Sequence, residues 1–128
     1  MQQIPGLYTA DSELGGRGVF TAINIAKGNM IEIAPVLVIP KDQVALLHQS
    51  VLHDYYFRWG ENLEEGAIAL GFGSLYNHSF WPNLTFELDF GNRTIDFYAY
   101  RDIAAGEELT FNYHGNEEDT RPLWFDVK

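Results

Sequence analysis

Three segments of this 128-residue chain carry residue types that could do chemistry. Leu14-Gly15-Gly16-Arg17-Gly18-Val19-Phe20 is a glycine-rich loop leading into a strand. Without side chains at Gly16 and Gly18, a ligand could come close to the backbone amides and carbonyls. No Gly-Lys-Ser/Thr follows, so it is not a phosphate loop, and it does not open a helix as the dinucleotide fingerprint does. Taken alone it reads as a plain turn. In Gly71-Phe72-Gly73-Ser74-Leu75-Tyr76-Asn77-His78-Ser79, Asn77 offers a donor and an acceptor, and His78 a ring nitrogen and an aromatic face. Glycines before it and Trp81-Pro82-Asn83 after it constrain this loop, the setting in which binding groups are often displayed. The same residues could merely satisfy their own backbone. Glu107-Glu108-Leu109-Thr110-Phe111-Asn112-Tyr113-His114-Gly115 ends a strand with a tyrosine near a turn. Taken singly, Tyr113 reads as an edge aromatic and Phe111, Trp124 and Phe125 as core.

Other chemistries find no foothold. His48, His53, His78 and His114 share no metal-ligand spacing, and His48 and His53 lie five apart, off one helix face. The absence of cysteine excludes disulfides and thiolate zinc sites, so no metal centre is expected. Ser79 lacks the Gly-x-Ser-x-Gly context of an esterase nucleophile. No motif pairs the carboxylates as a glycosidase requires.

Eight basic against eighteen acidic residues give a net charge of −10. Such a surface repels phosphates, which argues against direct binding of nucleic acid. It would attract a Lys/Arg-rich partner, or simply keep the protein in solution. No apolar run approaches the roughly 20 residues that span a bilayer, so no membrane role is expected. Met1-Gln2-Gln3-Ile4-Pro5-Gly6 lacks the basic start and apolar run of a secretion signal. An intracellular, soluble protein is the expectation.

Strand-length segments between glycines must position these groups. Val19-Phe20-Thr21-Ala22, Met30-Ile31-Glu32-Ile33 and Val36-Leu37-Val38-Ile39 are short candidates, the last between two prolines. Leu84 to Phe90 alternates apolar and polar, the period of a half-buried strand. Gly91-Asn92-Arg93 makes a hairpin turn, and Thr94 to Tyr100 returns. One helix is predicted from about Asp42 to Leu52, with Val44, Leu47, Val51 and Tyr55 on one face and Asp42 as its cap. Ile25-Ala26-Lys27-Gly28 and Ile103-Ala104-Ala105-Gly106 echo each other, each a strand end and a tight turn. Two such copies suit a clip-like β domain. With 128 residues and no break in composition, a single domain over 1–128 is expected.

In this order the segments resemble the SET-domain family of protein-lysine methyltransferases. Gly16-Arg17-Gly18 matches the family's Gly-x-Gly, and Asn77-His78-Ser79 with Pro82-Asn83 matches its Asn-His-Ser followed by Pro-Asn. Gly106 to Tyr113 matches Gly-Glu-Glu-Leu-Thr-Phe-Asp-Tyr, with Asn112 where Asp is commoner. The match runs from about Leu14 to Gly115, and the length resembles minimal single-domain members from bacteria and large viruses.

The resemblance implies a mainly β fold: a β-clip of small sheets with one or two short helices and a C-terminal pseudoknot-like threading. It implies S-adenosylmethionine held by Gly16, Arg17, Gly18, Asn77, His78 and Tyr113, with Tyr113 catalytic. Phe86, Phe111, Tyr113 and Trp124 would line the channel for the substrate lysine. Phe111 stands at the family's Phe/Tyr switch, where Phe implies di- or trimethylation. The zinc-binding cysteines that follow the domain in relatives are missing, so the segment 116–128, through Trp124-Phe125, is expected to close the channel. Packing against the body of the domain is its other reading. Ala34 stands where some relatives have a channel tyrosine, and Tyr55, Tyr56 or Phe57 could replace it. A histone-like or other Lys-rich protein or peptide is the implied substrate, placing the protein in the cytoplasm, or in a nucleus if the substrate is a histone. Exposed strands and aromatics would permit a homodimer. The alternatives are an inactive SET-like module that binds a basic protein, or a plain β domain that binds no cofactor.

Overall fold

The computed structural model describes residues 2–113. Its strands are β1 (Gln2–Gln3), β2 (Leu7–Asp11), β3 (Arg17–Thr21), β4 (Met30–Ile39), β5 (Tyr56–Trp59), β6 (Glu65–Ala69), β7 (Asn77–His78), β8 (Leu84–Asp89), β9 (Thr94–Ala99) and β10 (Glu108–Phe111). One sheet runs β5-β6-β4-β9-β8, with β1 paired to β4, and the other runs β2-β3-β10-β7. The fold is mainly β, in small sheets, as expected.

β4 unites two segments predicted separately. Pro35 does not break it, because the strand changes partner there: Met30–Pro35 pairs with β9 and Val36–Ile39 with β6. A residue without an N–H is tolerated at such a switch, and the Pro35 carbonyl still accepts from the Leu70 amide (2.9 Å). The β8–β9 hairpin forms in register from Leu84↔Ala99 to Asp89↔Thr94. The Asp89 carboxylate fastens its turn by accepting from the Asn92 amide (3.0 Å) and side chain (2.9 Å).

The predicted helix from Asp42 to Leu52 is instead three short pieces. A 3-10 turn at Lys41–Gln43 leads into α1 (Val44–Leu47), and a second 3-10 turn spans Val51–Asp54. Ser50 divides them: its hydroxyl donates to the Leu47 carbonyl (3.0 Å) and accepts from the Leu52 amide (3.2 Å). Such local bonds compete with helical ones. Of the expected apolar face Leu47 is buried, while Val51 is 75% exposed, and Asp42 caps nothing.

The two echoing segments meet. Ile25 and Ile103 exchange both backbone hydrogen bonds at 2.8 Å, and both side chains are buried. Gly28 (φ +87°) and Gly106 (φ +93°) make the left-handed turns that follow. A shared core draws on both sheets, including Val19, Ile31, Ile95, Phe97 and Leu109.

β10 decides what reaches the site. It runs antiparallel to β3 (Leu109↔Val19) and parallel to β7 (Thr110↔Asn77, Phe111↔His78). The C-terminal strand thus lies between segments from the start and middle of the chain. Any threading beyond Tyr113 falls outside the described residues, as do His114, Gly115, Trp124 and Phe125.

Candidate active site

β7 presents Asn77 and His78 at the point where the first glycine loop approaches β10. The Asn77 amide donates to the Arg17 carbonyl (3.1 Å) and to Glu108 Oε2 (2.8 Å). Glu108 Oε1 accepts from the Ser12 hydroxyl (2.5 Å), and the Gly16 carbonyl accepts from the Ser12 amide (2.9 Å). Arg17 therefore contributes its backbone, its side chain being exposed. A Cβ on Gly18 would lie 2.1 Å from Glu108 Oε2 and 3.0 Å from the Asn77 amide nitrogen. Only glycine lets these groups close on the loop.

His78 is buried, and its Nδ1 accepts from the Tyr113 amide (3.0 Å). The Tyr113 hydroxyl donates to the Tyr76 carbonyl (3.1 Å), and its ring lies 5.0 Å from that of His78. Tyr76 is itself fixed, its hydroxyl donating to buried Glu32 (2.7 Å). Glu32 also accepts from the Phe72 amide (3.0 Å) and the Gln3 side chain (2.8 Å). Ser79 takes the modest part open to it in sequence: its hydroxyl accepts from the Trp81 amide (2.9 Å).

Both tyrosines are held protonated. Burial foremost, then the neighbouring Tyr55 and Asp54, raises Tyr113 far above the ordinary tyrosine value. Burial and the charge of Glu32 do the same for Tyr76. The folded chain therefore keeps protons that the unfolded chain surrenders above a pH of about 10. Stability should be unaffected below that pH and fall as pH rises beyond it, by about 1.4 kcal/mol per unit and group. Urea titrations from pH 9 to 11.5 test this. Tyr76→Phe should flatten the decline, and a midpoint constant to pH 11 would contradict the assignment.

An aromatic cavity of about 530 Å³ opens beside Tyr113. Its walls include Phe86, Phe111, Tyr76, Tyr55, Tyr56 and Phe57, with Asp54, His48 and Arg58 among the polar groups. Phe111 stacks on Phe57 (centroids 5.4 Å apart) and meets Phe86 edge-on (5.2 Å). Ala34 is fully buried in the core, and the wall is built by Tyr55, Tyr56 and Phe57 together. Of the channel residues expected from sequence, Phe86, Phe111 and Tyr113 meet here, whereas Trp124 lies outside the described residues.

Several participants had no role assigned in sequence. Ser12 and Asp54 gave no signal, since their neighbours in sequence are not their neighbours in space. Glu108 and Asn83 sat inside recognised motifs without a task. Asn83 bridges: its amide donates to the Glu108 carbonyl (2.8 Å) and accepts from the Thr110 amide (2.8 Å). Among the described residues no cluster of His, Cys, Asp or Glu could hold a metal ion. Nor is any described helix long and apolar enough to cross a membrane.

Fold and site define a class: small β-sheets in which the last strand sets a tyrosine between an Asn-His pair and an aromatic cavity. The sequence profile of the SET domain family matches residues 16–114. A Schizosaccharomyces pombe histone-lysine N-methyltransferase, specific for H3 lysine-37, is 37% identical over 121 residues, covering 94% of this chain and 77% of that protein. The crystal structure of a candidate histone methyltransferase from Plasmodium falciparum superposes with a TM-score of 0.65 at 32% identity, over 88% of this chain and 95% of that one. A structure of ctPRC2 with H3K27me3 and H3K27M gives a TM-score of 0.71 at 27% identity, over 84% of this chain and 14% of that one. The chain belongs to the SET-domain family of protein-lysine methyltransferases.

Proposed function

We propose that this chain transfers methyl groups from S-adenosylmethionine to a lysine of a basic protein, with a histone as the substrate class. The observation that carries this reading is the β7–β10 pairing, which puts His78 against Tyr113 at the wall of an aromatic cavity and Asn77 against Glu108. The names of the relatives favour histones, as does the net charge of −10, which attracts Lys-rich segments. We read residues 1–128 as one SET domain, with Trp124 in a C-terminal segment that closes the channel.

The residues present suit such a cofactor. The Arg17 carbonyl, the Asn77 amide and the Glu108 carboxylate converge where Gly18 leaves no side chain. The carbonyl and the carboxylate are acceptors for a cationic ligand, with the Asn77 amide donating to both. When bound, S-adenosylmethionine supplies an electrophilic methyl on a sulfonium. In-line transfer to a neutral amine then depends mainly on alignment.

Free lysine has a pKa near ~10.4 and enters as a cation. The aromatic walls strip water from it and favour the neutral amine. Tyr113, held protonated with its hydroxyl on the Tyr76 carbonyl, acts as an orienting group rather than a base. Backbone carbonyls near it can guide the methyl through weak C–H···O contacts.

Phe111 brings no hydroxyl to the cavity, which leaves room for a methylated amine and favours di- or trimethyl products. Phe111→Tyr should shift the product toward monomethyl-lysine, read by mass spectrometry on the true substrate. A wild-type enzyme that makes only monomethyl-lysine would count against this.

The decisive experiment incubates the protein with labelled S-adenosylmethionine and core histones, then maps the modified residue. Lysine methylation is the expected result. Saturable cofactor binding by calorimetry with no transfer to any protein would favour the inactive binding module instead. No cofactor binding would overturn the enzyme and leave a SET-like module that binds a basic protein.

A further inference from the structure

We propose that Glu108 is a cofactor-binding residue, its carboxylate serving as counter-charge for an ammonium group docked beside Arg17 and Asn77. This rests on the cofactor reading above and assigns that site its charge partner. Two adjacent acidic residues have different tasks here. Glu107 pairs with Arg101 (3.3 Å) and caps the turn at the Ala104 amide (2.5 Å). Glu108 has no cation against it among the described residues. Among the described residues its two oxygens accept only from neutral donors, the Ser12 hydroxyl (2.5 Å) and the Asn77 amide (2.8 Å).

This half-buried negative charge stands at the centre of the three segments that meet at the glycine loop. The Asn77 amide nitrogen is hydrogen-bonded at once to Glu108 Oε2 and to the Arg17 carbonyl (3.1 Å). Two acceptor groups, the Glu108 carboxylate and the Arg17 carbonyl, thus meet at one neutral N–H donor, the Asn77 amide. An ammonium carries three N–H donors and no acceptor, and it brings to the carboxylate and the carbonyl the positive charge that the neutral amide lacks. Gly18 is what allows the approach, since a Cβ there would fall 2.1 Å from Glu108 Oε2. The α-ammonium of the amino-acid end of S-adenosylmethionine, retained in S-adenosylhomocysteine, is the group of this chemistry.

A purely structural Glu108, stapling Ser12 to Asn77, is the competing role, and the ligand separates the two. Calorimetry would measure the affinity of S-adenosylhomocysteine and of its analogue lacking the α-amino group. The Glu108→Gln protein should bind S-adenosylhomocysteine roughly tenfold or more weakly, the worth of one charge-assisted hydrogen bond. The same substitution should change affinity for the desamino analogue by less than about twofold. Ser12→Ala, which keeps the charge and removes one hydrogen bond, should preserve the wild-type preference for the amino ligand. Equal losses for both ligands would reduce Glu108 to a staple and overturn the proposal, as would no loss for either. A wild-type protein that binds neither ligand would overturn the cofactor reading itself, a result distinct from a wild type that binds while Glu108→Gln is unchanged.

Discussion

Tyr113→Phe should lower turnover at least a hundredfold while leaving cofactor affinity within a few-fold of wild type. The substitution removes one oxygen, and the hydrogen bond it loses is to the Tyr76 carbonyl (3.1 Å). The ring packing against His78 (5.0 Å) and Phe111 (4.8 Å) is kept, so the cavity retains its shape. The amide bond to His78 Nδ1 belongs to the backbone and also survives. What disappears is a polar group preorganised in a dry site, and removing one such donor typically costs about 10²–10³ in rate. Single-turnover kinetics beside calorimetry separate the two effects. A Tyr113→Phe protein with full activity would remove Tyr113 from the chemistry.

Asn83→Ala should be the most damaging substitution away from the cavity, costing about 4 kcal/mol of stability. Asn83 is buried, and its side chain bonds the Glu108 carbonyl and the Thr110 amide, both at 2.8 Å. Alanine leaves those two β10 groups without their partner, at roughly 1–3 kcal/mol each. For a domain of this size the melting temperature should drop by roughly 10 °C or more. The Asn83 carbonyl, which accepts from the Tyr100 amide (2.8 Å), is untouched, so the loss isolates the side chain. Because β10 carries Glu108 and leads directly into Tyr113, a loosened β10 should also weaken cofactor binding. A denaturation midpoint within about 1 kcal/mol of wild type would show that water replaces both bonds at little cost.

The hairpin from Leu84 to Ala99 was legible because alternation and a turn are local signals. The helix from Asp42 to Leu52 misled for a local reason as well: apolar spacing was counted, whereas Ser50 competes for the same backbone groups. The echo around Gly28 and Gly106 was visible as a repeat, but that Ile25 and Ile103 pair with each other was not. Repetition in sequence carries no information about distance. Ser12 and Glu108 are separated by 96 positions and joined by one hydrogen bond, a contact that only closure of the second sheet creates.

The residue types that suit this chemistry were settled by the sequence alone: a side-chain-free loop at Gly16 to Gly18, an Asn-His pair at 77–78 and a tyrosine at 113. Their motif order pointed to the SET-domain family, which the match over residues 16–114 bears out. The tertiary structure decided how they meet. β10 enters between β3 and β7 because burying Leu109 and Phe111 requires two flanking strands to satisfy its backbone on both edges. That placement turns Tyr113 toward the cavity, brings Glu108 to Asn77 and gives the motif residue Asn83 its work. Short-range patterns encode such groups one by one, whereas their geometry depends on contacts across most of the chain.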